Sequence, residues 1–193
     1  YHQVVINFQK DFTIKAQVES QYLSTLTYQW TIIPSPNSNY VQGLSTDTLK
    51  VLAGGFEAGV DYTFKLDVQD QTGAATVSKT ITTNAGPQSS GMTVNPPNNG
   101  KGGVTQFQVA VDPPMGSYPP FQYKFGYYSS LQDLDNKENP YYLTEFGPSE
   151  TVSFKLPNPT TPQATFHIFV IIQDKYECQG ELNMPITVLQ YIP

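Results

Sequence analysis

Arginine is absent from this chain of 193 residues, so lysine supplies all ten of its basic side chains. Without arginine there is no planar guanidinium group to pair with phosphates or with the edge of guanine. The formal net charge of −6 opposes binding to nucleic acids and to anionic membranes. The sequence therefore predicts no nucleic-acid partner and no electrostatic docking to a membrane.

Cysteine and long apolar runs are equally scarce. Cys178 is the single cysteine, which excludes an internal disulfide and a zinc site built from cysteines. No run of about 18 apolar residues occurs, so we expect no membrane insertion by this segment. The chain has no initiator methionine, and it starts and ends in strand-like runs. These features predict a fragment or mature segment of a longer protein.

Side chains suited to catalysis are few, because the chain has two histidines and one cysteine. His2 has no adjacent partner, and His167 alternates outward on a predicted strand. Nothing next to Cys178 in the sequence would lower the pKa of its thiol. We therefore predict that the protein is not an enzyme, with no catalytic residue and no cofactor.

Calcium is the metal that the acidic residues bring into question, because it binds to clustered carboxylates. Two sets of carboxylates offer oxygen ligands, namely Asp67, Asp70 and Asp174, and the looser group Asp133, Asp135 and Glu138. Asp70 and Asp174 of the first set are typical of turns at strand ends, and the second set is typical of a solvated loop. We predict no metal site and keep calcium as the alternative.

What the chain has in abundance favours β-structure. Tyr (13), Phe (11), Gly (14) and Pro (16) are frequent, whereas only 13% of the residues are charged. Short runs of alternating polar and apolar residues, separated by Gly, Pro and Asn turns, predict antiparallel strands. The clearest run spans residues 61–70, and Trp30 lies in the middle of another, where a β-sandwich places its central aromatic residue.

The same strand plan is present twice. Residues 123–125, Tyr-Lys-Phe, echo residues 28–30, Tyr-Gln-Trp. Residues 166–174 echo residues 62–70, with the same eight-residue step to a closing aspartate. Two copies of one plan are a stronger indication of a sandwich than either copy alone.

We therefore predict an all-β fold of two tandem Ig-like or fibronectin-III-like antiparallel β-sandwiches with negligible helix. The first sandwich spans residues 1–85 and the second 86–193, and the polar segment 84–91 is a short linker. Tyr62 is placed for a tyrosine corner, in which its hydroxyl bonds back to the preceding loop. Phe166 stands at the equivalent position of the second sandwich and has no hydroxyl for that bond.

Spaced aromatic and small residues in both halves carry a family resemblance. In the first half they are residues 28–30 and 59–73, and this half resembles a polycystic-kidney-disease (PKD) or related Ig-like repeat. The junction and second half resemble the REJ (receptor for egg jelly) module of polycystin-like surface proteins, on residues 83–87, 91–96, 105–107 and 120–125. Met92 stands where that family often has a cysteine, and no partner cysteine follows in residues 104–111.

The resemblance implies a non-enzymatic module of a larger extracellular or cell-surface protein, acting in spacing, adhesion or assembly. Its partner would be another protein or further copies of the same module. Related modules are frequent in large surface proteins of ciliated protists, which adds a ciliary surface to the expected locations. The alternative is a carbohydrate-binding or accessory module of a secreted enzyme or lectin, which would bind a glycan on a tyrosine platform built from Tyr127, Tyr128, Tyr141 or Tyr142.

One outward face of the second half is the candidate interface. If the repeat register holds, Phe169 and Ile171 face outward, as His167 does, where the first half has polar residues. Large apolar side chains on an outer face predict that something covers them. Another copy, a flanking domain or segment 131–146 could do so, and Tyr128 and His167 complete the candidate interface.

Overall fold

The computed structural model describes residues 4–19, 25–115 and 118–193, and it divides into two compact units, Tyr1–Ala85 and Gly86–Pro193. The described part of the chain holds fifteen β-strands and a single α-helix, so the all-β class predicted from the sequence is confirmed. No helix in this part is long and apolar enough to cross a membrane. His2 lies outside the described residues, as does the start of the first predicted strand.

Unit 1 is a sandwich of two sheets. Its strands are β1 (Val4–Ile6), β2 (Phe12–Lys15), β3 (Thr27–Ile33), β4 (Val41–Gln42), β5 (Thr48–Val51), β6 (Asp61–Gln69) and β7 (Ala74–Thr83). One sheet has the order β1-β7-β6-β3 and the other the order β2-β5-β4. With strands lettered A to G in chain order, these are the C-F-G and B-E-D sheets of an Ig-like domain, with the first strand beside the last.

Trp30 lies in the core between the two sheets of unit 1, as the sequence predicts. It is 5% exposed and stands opposite Leu66 in the register of β3 and β6. Phe64 belongs to the same buried cluster. The indole Nε1 donates a hydrogen bond of 2.9 Å to the carbonyl oxygen of Thr46, so the polar atom of this buried ring is satisfied.

Tyr62 forms the tyrosine corner predicted from its position. The ring is 2% exposed, and its hydroxyl accepts a hydrogen bond of 3.0 Å from the backbone N–H of Glu57. Thr83 fixes the same loop, because its hydroxyl donates to the carbonyl oxygen of Glu57 and accepts from the N–H of Val60. The entry into β6 is therefore tied to the loop before it and to the end of β7.

Replacing Tyr62 with phenylalanine is expected to lower the free energy of unfolding of unit 1 by about 0.5–1.5 kcal/mol, the usual net value of one hydrogen bond. The ring would keep its packing while the N–H of Glu57 loses its acceptor. Urea denaturation measures the change, and Tyr40→Phe, at a residue 37% exposed, is the matched control. Equal stabilities of the two variants would contradict a structural role for the hydroxyl.

Unit 2 is also a sandwich. Its strands are β8 (Met92–Asn95), β9 (Gly100–Lys101), β10 (Phe107–Val111), β11 (Gln122–Tyr128), β12 (Tyr141–Tyr142), β13 (Thr151–Phe154), β14 (Gln163–Gln173) and β15 (Gln179–Leu189). The sheets have the orders β13-β10-β8 and β12-β11-β14-β15-β9. Phe125 takes the place that Trp30 has in unit 1, because it is 1% exposed and lies opposite Val170.

Several elements differ from the sequence-based expectations. Segment 131–139, expected as a polar loop, contains the helix α1 (Leu131–Asn136). The sequence also predicts strands over residues 141–146 and 183–191. The first is reduced to the two residues of β12, and the last strand begins earlier, at Gln179. β4 and β9 were not predicted, because a strand of two residues has no alternation to read.

Most of the predicted linker 84–91 takes part in one unit or the other. The N–H of Asn84 donates to the carbonyl oxygen of Ile6 within unit 1. Within unit 2, Gly86 packs beside Cys178, and Gln88 forms a β-bridge with Met115. Gly86 has a φ of 77°, a conformation that favours glycine.

Candidate interaction faces

The outer face of the five-stranded sheet in unit 2 is covered from within the chain. Phe169 is 1% exposed, and its ring centroid lies 4.9 Å from that of Tyr128 and 5.9 Å from that of Tyr142. Leu134, the buried residue of α1, completes the cluster, and Ile171 packs against its side. Segment 131–146 therefore covers this face, which is one of the three possibilities that the sequence left open.

The candidate interface predicted from the sequence must be corrected on this point. Tyr128, His167 and Phe169 are 4%, 9% and 1% exposed, and Ile171 is half-buried. The register was read correctly, since His167, Phe169 and Ile171 do face away from the core of unit 2. Their burial by α1 and the neighbouring strands leaves little of this set accessible to a partner.

The local sequence explains why a helix forms over this face. Ser130 is the N-cap: its hydroxyl accepts from the N–H of Asp133 and donates to the Asp133 carboxylate at 2.6 Å. Hydrogen bonds from Ser130 and then Asn139 hold the pKa of Asp133 below its usual value. The helix ends at Lys137, which has a φ of 56° and forms an ion pair with Glu181 of β15.

Gly126 makes room for the buried ring of Phe169. The two residues lie opposite each other in the register of β11 and β14. A Cβ atom at position 126 would lie 2.8 Å from Cε1 of Phe169 and 2.7 Å from the carbonyl oxygen of Tyr141, closer than real side chains approach. Position 126 therefore has to be glycine for the ring of Phe169 to pack on the outer face of the sheet.

Lysines in unit 2 lie against aromatic rings. Nζ of Lys124 lies 3.9 Å from the ring centroid of Tyr142 and 5.7 Å from that of Phe146, and it forms an ion pair of 3.3 Å with Glu145. Similar contacts are made by Lys101, Lys137 and Lys175. The contacts of Lys124 pin the connection after β12 to the sheet.

The tyrosines proposed as a glycan platform do not form one surface. Tyr127 and Tyr128 are buried, whereas Tyr141 and Tyr142 are 54% and 51% exposed. Neighbouring residues of a strand point to opposite faces, so the two exposed rings are not coplanar. Tyr141 stacks on Tyr127 at 5.0 Å with an interplanar angle of 8°, which leaves one face of its ring toward solvent.

The carboxylates considered for calcium serve local structure. Asp70 accepts hydrogen bonds from the N–H groups of Thr72 and Gly73, and Asp174 accepts from those of Tyr176 and Cys178. Both are therefore turn residues at the ends of strands, as their positions predict. Within the described residues, no three or more His, Cys, Asp or Glu side chains are grouped to hold a metal ion.

Cys178 is a buried thiol rather than a reactive one. It is fully buried at the end of the β14–β15 turn. Burial first, and then the negative charge of Asp174, raises the pKa of its thiol to about 11. The thiolate that a nucleophile or metal ligand requires is therefore disfavoured near neutral pH.

We expect Cys178 to react with a disulfide reagent at pH 8 about a hundredfold more slowly in the native chain than in the unfolded chain. This factor is the ratio of thiolate at an ordinary pKa of about 9 to that at a pKa of about 11, and burial slows the reaction further. The rate should rise with pH toward 11. Rapid labelling of the native chain, measured by thiolate release, would show that the site is accessible.

The corresponding sheet face of unit 1 differs, because its outward side chains remain open to solvent. We call it the hydroxyl face, formed by the outward side chains of β3, β6 and β7 and centred on Thr31, Thr63, Lys65, Asp67, Thr76 and Ser78. These side chains are exposed or half-exposed. This face was not predicted from the sequence, because alternation alone does not say which polar faces remain bare.

Side chains of the hydroxyl face are bonded to one another. The hydroxyl groups of Thr63 and Thr80 lie 2.9 Å apart, and Lys65 forms an ion pair of 2.9 Å with Asp67. Thr76 also donates to Asp67. The hydrogen bond from Thr76, followed by that from Lys65, lowers the pKa of the Asp67 carboxyl group.

Taken with the fold, these faces define a β-sandwich module. The family model for the REJ domain matches residues 5–192, so the match spans both units. The chain therefore belongs to the REJ domain family, as its resemblance predicts. REJ domains are typical of extracellular proteins. The PKD likeness of the first half stays a prediction.

No curated protein matches the chain. Among solved structures, domains A168–A170 of titin are 12% identical, with a TM-score of 0.43, over 97% of this chain and 61% of that one. Domains FN1–FN3 of chicken CNTN1 are 9% identical, with a TM-score of 0.41, over 97% of this chain and 65% of that one. The chain thus spans less than two thirds of the length of these two structures.

Proposed function

We propose that this chain is a non-enzymatic structural module of a larger extracellular surface protein and that it maintains spacing under tension. The observation that carries the proposal is the same in both units: a strand near the beginning pairs in parallel with the last strand. Force applied to the two ends of such a unit pulls these strands in opposite directions. Their hydrogen bonds are then loaded together in shear rather than broken one after another.

Unit 1 pairs β1 with the end of β7. The register joins Val4 to Ile81, Val5 to Thr82 and Ile6 to Thr83. The N–H of Asn84 extends the ladder by donating to the carbonyl oxygen of Ile6 at 2.8 Å. The points where force enters and leaves unit 1 are therefore held by one continuous set of backbone bonds.

Unit 2 repeats the arrangement with β9 and β15. Backbone bonds from Asn99 to Thr187 and from Gly102 to Leu189, at 3.0 and 2.9 Å, flank the two paired positions. Beyond β15, the amide side chain of Asn158 bonds to both the N–H and the carbonyl oxygen of Tyr191. The last strand is thus secured on both sides of its pairing with β9.

Assembly with a protein partner or with further copies of the module is the second part of the proposed role. The exposed hydroxyl face and the REJ membership support it. A ciliary or flagellar surface is the proposed setting, carried by the resemblance alone. The buried Cys178 and the turn-bound carboxylates support a role without catalysis.

Stretching the full chain by its two ends in a force spectrometer tests the spacing role. Two separate unfolding events are expected, which release contour lengths of about 30 nm for unit 1 and about 38 nm for unit 2 at roughly 0.35 nm per residue. Ile6→Pro should lower the force of the unit 1 event, because proline has no N–H to donate to β7. The N–H of Val5 points away from β7, since Ile6 faces it. Val5→Pro is therefore the matched control.

A glycan-binding module is the second candidate, favoured by the outward ring face of Tyr141. Sugars stack on exposed aromatic faces of this kind. Titration with a panel of oligosaccharides, followed by tyrosine fluorescence, would detect such binding. Loss of the signal in Tyr141→Ala but not in Tyr191→Ala would favour the glycan role, and no signal with any sugar would count against it.

A further inference from the structure

The hydroxyl face of unit 1 has a charge pattern that complements itself. Lys65 and Asp67 lie two residues apart on β6, the central strand of the face, with Leu66 between them pointing to the core. They are the charged side chains at its centre. A twofold axis parallel to the sheet and above its outer face, passing over Leu66 at right angles to the strands, would place Lys65 of one copy opposite Asp67 of the other.

From this pattern we propose that the hydroxyl face binds the same face of a second copy of this chain. The two β6 strands would lie over each other, face to face, and run in opposite directions. Lys65 of each copy would then lie against Asp67 of the other, giving two ion pairs related by symmetry. The inference rests on the proposed role in assembly and names the surface and the partner for it.

The flanking strands fit the same axis. On β3, Thr31 of one copy would meet Gln29 of the other, and on β7, Ser78 would meet Thr76. These positions bring hydroxyl and amide groups together, and no like charges oppose each other among them. Hydrogen bonds already present within the face hold several of these side chains in place, so their ordering costs little on association.

The area of the hydroxyl face indicates how tightly two copies would bind. Three strands spaced about 4.8 Å apart and about seven residues long cover roughly 350 Å² per copy. The total buried area would be about 700 Å², well below the standard size of stable complexes and in the range of weak, transient contacts. We therefore expect a weak dimer, which many copies of a module on one surface would reinforce through effective concentration.

A charge exchange tests the proposal on the full chain. Sedimentation equilibrium from micromolar to about 1 mM should show a reversible dimer of the wild type, as transient interfaces of this size do. Lys65→Asp and Asp67→Lys should each weaken the dimer at least about tenfold, because each places like charges together twice. The double exchange, Lys65→Asp with Asp67→Lys, should restore it.

Thermal unfolding of each variant would show whether it is folded. A wild type that stays monomeric overturns the proposal, and so does a dimer that survives both single exchanges. Failure of the double exchange to restore association in a folded variant overturns it as well.

A second measurement keeps the native charges. Ile33→Cys introduces an exposed thiol at the rim of the face, three residues from the axis, and a spin label will attach there while Cys178 stays buried. Dipolar spectroscopy should give a distance below about 35 Å between the two copies, since face-to-face sheets pack about 10 Å apart and each residue advances a strand by about 3.4 Å. A label on Leu131→Cys of unit 2, at a residue 57% exposed, is the control and should give no such distance.

A dimer without this distance would place association on another surface and overturn the proposal. The stretching experiment is made on single molecules, so its result does not depend on association. The spacing role and the homotypic contact can therefore fail separately.

Discussion

Replacing Trp30 with alanine is expected to lower the free energy of unfolding of unit 1 by about 3–5 kcal/mol, the usual cost of removing a buried aromatic side chain. Trp30 is 5% exposed in the core of the sandwich. The substitution would leave a cavity opposite Leu66. It would also remove the indole N–H that donates a hydrogen bond to the carbonyl oxygen of Thr46. Chemical denaturation followed by circular dichroism measures the change.

Two variants of β3 separate the contributions to this effect. Trp30→Phe keeps most of the buried area and loses the hydrogen bond to Thr46, so its cost should be smaller. Ile33→Ala lies on the same strand at 59% exposure and should change stability by less than about 0.5 kcal/mol. A loss below about 1 kcal/mol for Trp30→Ala, typical of a surface change, would contradict the placement of this ring.

Phe169→Ala is expected to cost unit 2 about 3–5 kcal/mol as well, because the ring is enclosed by the chain itself. Removing it empties the space over Gly126 and takes away the contact that holds Tyr128, Tyr142 and Leu134 together. The helix α1 should lose its place on the sheet, since six residues do not form a stable helix alone. Denaturation and hydrogen exchange at α1 would show the loss.

Unit 1 provides an internal control for this variant, because Trp30 reports on unit 1 and should unfold as in the wild type. Leu131→Ala, at an exposed position of α1, should have little effect. A Phe169→Ala variant with unchanged stability and a changed oligomeric state would instead mean that a partner covers this face. The sequence-based interface would then be correct after all.

Much of the fold could be predicted because its strands alternate strictly. β6 has Tyr62, Phe64, Leu66 and Val68 on one side and polar residues on the other, so period two alone fixes its core face. The same reading placed Trp30 inside and gave the outward register of Phe169. An alternation of apolar and polar side chains shows which face of a strand points to the core, even when no tertiary contact is known.

The features that the sequence did not predict depend on contacts between distant segments of the chain. Segment 131–139 looks like a solvated loop because its charges dominate, and only Leu134, meeting Phe169, makes α1 a cover. A capping signal was present in Ser130 and Asp133, three residues apart, and could have indicated the helix. The hydroxyl face left no signal, since polar residues mark a bare face and a bound one alike.

The central claim, that each unit resists force through parallel strands, is tested most directly by changing the direction of pull on unit 1. Gly73 lies at the β6–β7 turn, and a Cβ atom added there would meet no other atom within 4 Å. Gly73→Cys therefore provides an attachment point while Cys178 stays buried. Because β1 and β7 are parallel, the start of β1 and the start of β7 point to the same end of the sheet.

Pulling between the N-terminal end and position 73 would therefore peel β1 from β7 one bond at a time. Pulling across the two ends of the chain loads the same bonds in shear. The account predicts a rupture force for unit 1 several times higher across the ends than in the peeling geometry. Equal forces in the two geometries would contradict it.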